Sequence, residues 1–293
     1  MTDRFIVIES PAKITTRDEQ LSILLPDGEE RTGPLEDMDS LLVDNAEATV
    51  TVPAICKLSA YGIPTVFCDG NHFPSTVTLS LHGNCIQEER FSLQMAAPEE
   101  RLKELWAQTV EAKIRNQANL LDMLSLDGGP VRALAGDVLP GDETNREVAA
   151  ARLYGKALFG PDFRRDRFGD GPNPLLNYGY AILRSVTARA TASAGLYPHK
   201  GIHHRNRYDD CCLADDLMEP FLPFVDLKVY ELWNNGARKT DRDTRHELQK
   251  IPFIETELAG RMRTLANAVT DAVGSFVGCF TDTDADLVFA RIC

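Results

Sequence analysis

Two hydrophobic rhythms divide the chain. Up to about residue 84, apolar and β-branched residues come in short runs at 4–9, 13–16, 21–25, 41–43, 49–52, 64–68 and 76–81. Turn material such as Pro26-Asp27-Gly28 and Asp69-Gly70-Asn71 separates them. The pattern predicts seven short strands and one helix over 53–61, with Pro53 tolerated in its first turn. Further on the period lengthens: Leu102, Leu105, Trp106, Val110 and Ile114 recur at three and four, one apolar stripe of a helix that starts near Pro98. Further helices are predicted over 146–158, 176–194, 216–233 and 258–279. Pro220 and Pro223 should bend or restart the fourth of these close to Glu219. Residues 169–174 read as a loop and 234–243 as a mobile polar connection. The fold class is therefore α+β: a small β-sandwich-like domain over 1–84, a linker over 85–97 and a larger all-α domain over 98–293.

Composition narrows the class. A chain of 293 residues can hold two cored domains, and 43% hydrophobic with 26% charged residues is ordinary for a globular protein. No apolar run approaches the roughly 18 residues of a membrane span, and the one at the start is too short for a signal peptide. The seven cysteines (56, 68, 85, 211, 212, 279, 293) are odd in number, irregular in spacing and contain no Cys-x-x-Cys pair. That favours a reducing cytoplasm over a disulfide framework or a zinc ribbon. Cys68 reads as a small buried residue at a strand end, with a catalytic thiol as the competing reading. No glycine-rich nucleotide loop and no internal repeat is present.

The net charge of −13 argues against DNA until its distribution is considered. Residues 1–84 carry 5 basic and 13 acidic side chains, whereas 146–207 carry 11 basic and 4 acidic ones. Within the second segment, Phe163-Arg164-Arg165-Asp166-Arg167-Phe168 reads as an exposed loop. Phosphate binding depends on such a local field more than on the total. The competing reading pairs these arginines with acids elsewhere in the fold.

Candidate chemistry lies in the same stretch. Gly201-Ile202-His203-His204 precedes Leu213-Ala214-Asp215-Asp216-Leu217-Met218-Glu219-Pro220, so His204 and Glu219 stand 15 apart. Glu147 opens an alanine-rich helix upstream. One imidazole and two carboxylates can hold Mn²⁺ or Mg²⁺ with positions open for substrate oxygens, a set suited to phosphodiester chemistry. Each residue also has a structural reading. Thr144 and Glu147 have capping-box spacing, the histidines fit a polar loop, and Asp215, Asp216 and Glu219 fit an acidic first helical turn. Spacing alone leaves both readings open.

The run from Gly195 to His204, followed by Leu213 to Phe221, resembles the CRISPR-associated spacer-acquisition integrase family, the adaptation endonuclease of CRISPR loci, in its type II branch. Pro34-Leu35-Glu36-Asp37, Leu42-Val43-Asp44-Asn45, Phe67-Cys68-Asp69, Lys113-Ile114-Arg115-Asn116-Gln117, 142–151 and Leu176-Asn177-Tyr178-Gly179-Tyr180 fall in the same order, so the resemblance spans nearly the whole chain. It implies that Glu147, His204 and Glu219 bind the metal, Mg²⁺ or Mn²⁺. His203 is the competing imidazole, and the 15-residue spacing favours His204. Asp216 is an auxiliary residue. Tyr154, Asn177, Tyr180, His203, Arg205 and Arg207 are candidates for positioning double-stranded DNA, with Arg164, Arg165 and Arg167 on phosphates. The resemblance further implies a homodimer formed through 1–84 and a small companion subunit of ferredoxin-like fold. The implied activity is metal-dependent strand transfer, a DNA 3′-hydroxyl attacking a phosphodiester of a CRISPR repeat. Leu222 and Gly155 depart from the pattern, standing where an arginine and an aromatic residue are expected, and Asp209-Asp210-Cys211-Cys212 is an unusual link. Two other functions fit the residues: a non-catalytic helical DNA-binding scaffold with a β dimerisation module, and a metal-dependent phosphohydrolase of small phosphoesters.

Overall fold

In the computed structural model, which describes residues 4–70, 74–78, 86–205 and 211–292, the N-terminal apolar runs pair into two four-stranded sheets. Strands β1 (Arg4–Ile8), β2 (Lys13–Arg17), β3 (Gln20–Leu24), β4 (Glu30–Pro34), β5 (Met38–Val43), β6 (Thr49–Val50), β7 (Thr65–Cys68) and β8 (Pro74–Thr78) are joined by one helix, α1 (Val52–Ala60). One sheet has the order β1-β5-β7-β8, parallel except for β8, and the other has the order β4-β3-β2-β6. Ile8, Ile14, Leu21, Leu35, Leu41, Val43 and Leu58 form their core. The polar strand β4 was not expected. Glu30-Arg31-Thr32-Gly33-Pro34 lacks an alternating apolar face because it is a largely exposed edge strand, where charge guards against unwanted pairing. Cys68 is half-buried at the end of β7. Residues 79–81 of the last predicted strand, with Cys85 and Cys293, lie outside the described residues.

The chain divides into two compact units, Met1–Gln87 and Glu88–Cys293. The second is built from α2 (Gln87–Ala96), α3 (Glu99–Met123), α4 (Gly129–Ala135), α5 (Arg146–Phe159), α6 (Asn173–Ser193), α7 (Cys212–Met218), α8 (Leu222–Asn234) and α9 (Arg242–Leu248). A hairpin of β9 (Glu255–Leu258) and β10 (Arg261–Thr264) then leads into α10 (Leu265–Gly278). The expected linker 85–97 is therefore mostly helix. Gln94 in α2 donates to the carbonyls of Tyr197 (3.0 Å) and Lys200 (2.8 Å) and accepts from the Tyr197 N–H (2.8 Å). The helix is thereby tied to the loop that leads into the histidines. The helix expected over 258–279 begins only at Leu265, because Ala259 and Gly260 both take positive φ (50° and 78°) and close a two-residue hairpin turn. The connection expected to be mobile runs into α9, whose N-cap Asp241 accepts from the Thr244 N–H at 3.0 Å.

The 25-residue helix α3 forms the spine of this unit. Its apolar stripe is buried with Leu176, Leu217, Phe221 and Val269 in one core. Asn116, on the same helix, is buried and fully used. Its amide donates to the carbonyls of Pro220 (2.8 Å) and Ala290 (2.9 Å), and its oxygen accepts from the Ile292 N–H (3.2 Å). One side chain thus joins the turn after Glu219 to the segment around residue 290. Asn116→Ala would leave two carbonyls and an N–H without partners in a site closed to water. The variant is expected to lose about 3 kcal/mol of stability, read as a lowered urea midpoint at constant slope. An unchanged midpoint would show that the segment is not anchored here.

Candidate active site

Glu147 reaches the site because it is released from capping its own helix. The chain enters α5 through three residues of positive φ, Gly141 (74°), Asp142 (50°) and Asn145 (52°). That path brings the Asp142 carboxylate over the helix end, where it accepts from the N–H groups of Arg146 (2.8 Å) and Glu147 (3.0 Å). The Thr144–Glu147 capping box is not formed, and the N-cap Asn145 makes no side-chain bond. The Glu147 side chain points instead to Lys113 of α3, with Nζ at 2.6 Å from its Oε1.

The same ammonium lies 2.5 Å from Glu219 Oε2. Glu219 stands at the helix break expected from Pro220 and Pro223. It begins the short 3₁₀ turn Glu219–Phe221 between α7 and α8, with a proline in the first turn of each following segment. The prolines break the helix there and turn the carboxylate inward, while Asn116 holds the next carbonyl. Lys113 is 6% exposed, so a buried cation is shared by two part-buried carboxylates. Burial alone would lower the Lys113 ammonium, but Glu219 and Glu147 outweigh it and raise its pKa. Burial pushes the Glu147 carboxyl up, and Lys113 more than reverses that. For Glu219 burial prevails and the pKa is raised, with Lys113 opposing it and Glu147 adding to it.

The imidazole is held by a second acid. Asp216, fully buried on α7, accepts from the His203 N–H (2.8 Å) and the His204 N–H (3.3 Å), and it pairs with His204 Nδ1. Gly201 makes this possible, since a Cβ there would lie 2.6 Å from Asp216 Oδ2 and 2.6 Å from the His204 carbonyl oxygen. The hydrogen bond to Asp216 raises the His204 pKa to about 9 against partial burial. His203 goes elsewhere and stacks on buried Trp106, with centroids 4.5 Å apart and planes at 6°. Of the two histidines, His204 is the one fixed by an acid, with Nε2 as its other ring nitrogen. The chain paths to all three candidate ligands are thus explained. Each of Glu147 and Glu219 contributes electrostatically to His204, so the three lie in one field.

A cleft of about 400 Å³ opens beside this cluster, lined by residues that include Lys113, Gln117, Tyr154, Tyr180, His204 and Glu219. Tyr154 and Tyr180 are engaged in its wall, donating to buried Asp226 at 2.8 and 2.5 Å. Burial pushes the Asp226 carboxyl up to about 6 despite those two bonds, which favour its charged form. Gly155 makes room for Phe163, whose ring would lie 3.0 Å from an added Cβ. Arg165 is fastened inside its own loop, donating to Asn173 (3.1 Å) and Asn177 (2.6 Å) with its guanidinium 5.1 Å from the Tyr180 ring centre. Asn177 in turn donates to the Arg167 carbonyl at 2.7 Å. Arg164 and Arg167 are exposed, and Phe168 beside them is 91% exposed. Arg205 is exposed with Glu99 at 3.7 Å, Arg184 makes a two-pronged pair with Asp215 (2.6 and 2.9 Å), and Arg207 lies outside the described residues.

Among the described residues, no group of three or more His, Cys, Asp or Glu side chains forms a ready-made metal cage. What the site does provide is one nitrogen and two carboxylates of the right chemistry, with a cation already held between the carboxylates. Lys113, Gln117, Asp142, Trp106 and Asp226 were not assigned roles from the sequence. Lys113 and Gln117 stood in one of the resembling words without a role; Lys113 also interrupts the apolar stripe between Val110 and Ile114, and a lysine buried on a helix face needs carboxylate partners.

A pH test follows from the Asp216–His204 pair. Because the folded pKa (about 9) lies above the ordinary histidine value of 6.5, the pair stabilises the fold fully below pH 6.5 and loses that contribution as pH rises through 9. In Asp216→Asn the imidazole pKa should fall toward 6.5, measured by NMR titration of the ring protons. A pKa that stays near 9 would place the cause elsewhere.

Comparison with known proteins gives the family of the chain. The family model described as CRISPR associated protein Cas1 matches residues 5–151 and 149–253. A CRISPR-associated endonuclease Cas1 from Neisseria meningitidis serogroup C is 33% identical over 290 residues, covering 97% of this chain and 94% of its own. Among solved structures, a casposase bound to integration product superposes with a TM-score of 0.80 at 20% identity, covering 98% of this chain and 92% of that one. A Cas6-RT-Cas1–Cas2 complex gives 0.76 at 19% identity, with all of this chain against 36% of that chain. These two likenesses concern the fold. No described helix is long and apolar enough to cross a membrane. By the family match and by a relative one-third identical over nearly its full length, the chain belongs to the Cas1 family of CRISPR-associated proteins.

Proposed function

We propose that this chain is a DNA endonuclease and integrase of CRISPR adaptation that joins short DNA to a repeat through transesterification. The observation that carries the reading is the convergence of part-buried Glu147 and Glu219 on one buried cation beside an acid-fixed His204. A scaffold has no use for such a cluster, because burying paired charges contributes little to stability against apolar packing. The Neisseria endonuclease and the casposase bound to integration product support the same chemistry.

Glu147, His204 and Glu219 are the residues that would hold Mg²⁺ or Mn²⁺, with Asp216 orienting the imidazole. A divalent ion there supplies Lewis-acid polarisation of the phosphodiester and charge relief on the leaving oxygen. The chain's own residues do the rest. Asp216 fixes the His204 ring so that Nε2 is available. The Tyr154–Asp226–Tyr180 set keeps the cleft wall rigid, and the exposed Arg164 and Arg167 contact phosphates. Strand transfer exchanges one phosphodiester for another, so no nucleotide-derived energy is required, which accords with the missing glycine-rich loop. A homodimer through the β-rich unit and a small companion subunit complete the proposal. The companion is supported by the Cas1–Cas2 complex named among the structural neighbours.

Two outcomes test this reading. Glu219→Gln keeps the volume and removes one carboxylate charge, so strand transfer into a supercoiled repeat-bearing plasmid should fall by roughly 10³-fold while DNA affinity holds. An unchanged rate would remove Glu219 from the site. Arg164→Ala with Arg167→Ala should flatten the dependence of log affinity on log salt by up to about two contacts' worth, at roughly 0.9 per contact. An identical slope in a folded double variant would place the DNA elsewhere.

A further inference from the structure

One amide oxygen beside the site has no hydrogen-bond donor among the described residues. Gln117 lies four positions after Lys113 on α3, is 3% exposed and lines the same cleft, and its side-chain oxygen makes no hydrogen bond. Residues at this spacing sit one above the other on a helix face. A buried carbonyl left without a donor is costly and calls for an explanation. Lys113 supplies the complementary puzzle. Its ammonium occupies the space between the two carboxylates that a divalent ion must enter, yet its stem is too buried for it to leave into solvent.

We propose that Lys113 is a tethered internal cation with two stations: between Glu147 and Glu219 when the site holds no metal, and on the Gln117 amide oxygen when a divalent ion takes that place. The inference rests on the metal-site reading above and names the residues that set its affinity. In the first station the ammonium stops two part-buried carboxylates from repelling each other and keeps them converged for the incoming ion. In the second it satisfies the orphaned oxygen and stays in the cleft. Lys113 is thus a positioning residue. The metal competes with an ammonium rather than with water, and Gln117 lowers the cost of the exchange.

The two residues then have opposite effects on metal affinity, which a purely structural role for the pair would not produce. Mn²⁺ binding to the full-length protein, followed by electron paramagnetic resonance of the free ion, reads this directly. Lys113→Met removes the competitor and keeps the stem, so Mn²⁺ should bind roughly tenfold more tightly. Gln117→Leu removes the second station and keeps the volume, so Mn²⁺ should bind roughly tenfold more weakly. In Lys113→Met/Gln117→Leu the effect of Leu should vanish, because no ammonium is left to move. Without metal, Lys113→Met should lower the melting temperature, and adding Glu219→Gln should restore part of it by relieving carboxylate repulsion. If the unsubstituted protein binds Mn²⁺ and Lys113→Met binds it no more tightly, the exchange is wrong while the metal site stands. If Lys113→Met does not fold, equal affinity in Gln117→Leu and the unsubstituted protein overturns the proposal. If none of the folded proteins binds Mn²⁺ at millimolar concentration, the metal-site reading falls and the exchange with it.

Discussion

The ion cluster Glu147–Lys113–Glu219 organises the helical unit, because a buried lysine is tolerated only with its two part-buried carboxylates in place. Each member arrives from a different element: α3, the start of α5, and the 3₁₀ turn between α7 and α8. Packing of those elements is therefore tied to the geometry of the site. Asn116 extends the constraint, since it holds the Pro220 carbonyl next to Glu219 and the chain near residue 290 at once. The left-handed path through Gly141, Asp142 and Asn145 belongs to the same design. It hands helix capping to Asp142 and leaves Glu147 for the cation.

Much of this was legible in the sequence, and the gaps have physical causes. The stripe Leu102–Leu105–Trp106–Val110–Ile114 announced α3 because helical periodicity is strong over many turns. The words around His204 and Glu219 fall beside the ion cluster, and Pro220 and Pro223 marked the break beside Glu219. The start of α10 was misplaced because Leu258, Met262, Leu265 and Val269 recur at three and four, as in a helix. Met262 is in fact 64% exposed on a strand, and the positive φ of Ala259 and Gly260 overrides the pattern. Strand β4 was invisible because an edge strand of charged residues carries no apolar signal. Lys113 and Asp226 were passed over for the opposite reason: each sits within an apolar helix face where only three-dimensional partners reveal its purpose.

Charge is likewise informative only once it is placed. Several arginines of the basic 146–207 segment are already spoken for, Arg184 by Asp215 and Arg165 by its own loop. The tyrosines expected to position DNA brace Asp226 in the cleft wall. What remains exposed beside the cleft-lining Arg165 is Arg164 and Arg167 with Phe168, a compact pairing of cation and aromatic surface suited to a nucleic-acid backbone. A chain of net charge −13 can thus keep a local phosphate-binding loop next to an acidic centre.

The central claim is that Glu147, His204 and Glu219 surround one divalent-ion position now bridged by Lys113. Crystals soaked in Mn²⁺ and measured above and below the manganese absorption edge test it most directly. The account predicts a single anomalous peak within bonding distance of Glu147, Glu219 and His204 Nε2, with the Lys113 ammonium moved off both carboxylates. A fully soaked crystal with no peak there, and with Lys113 still between Glu147 and Glu219, would contradict it.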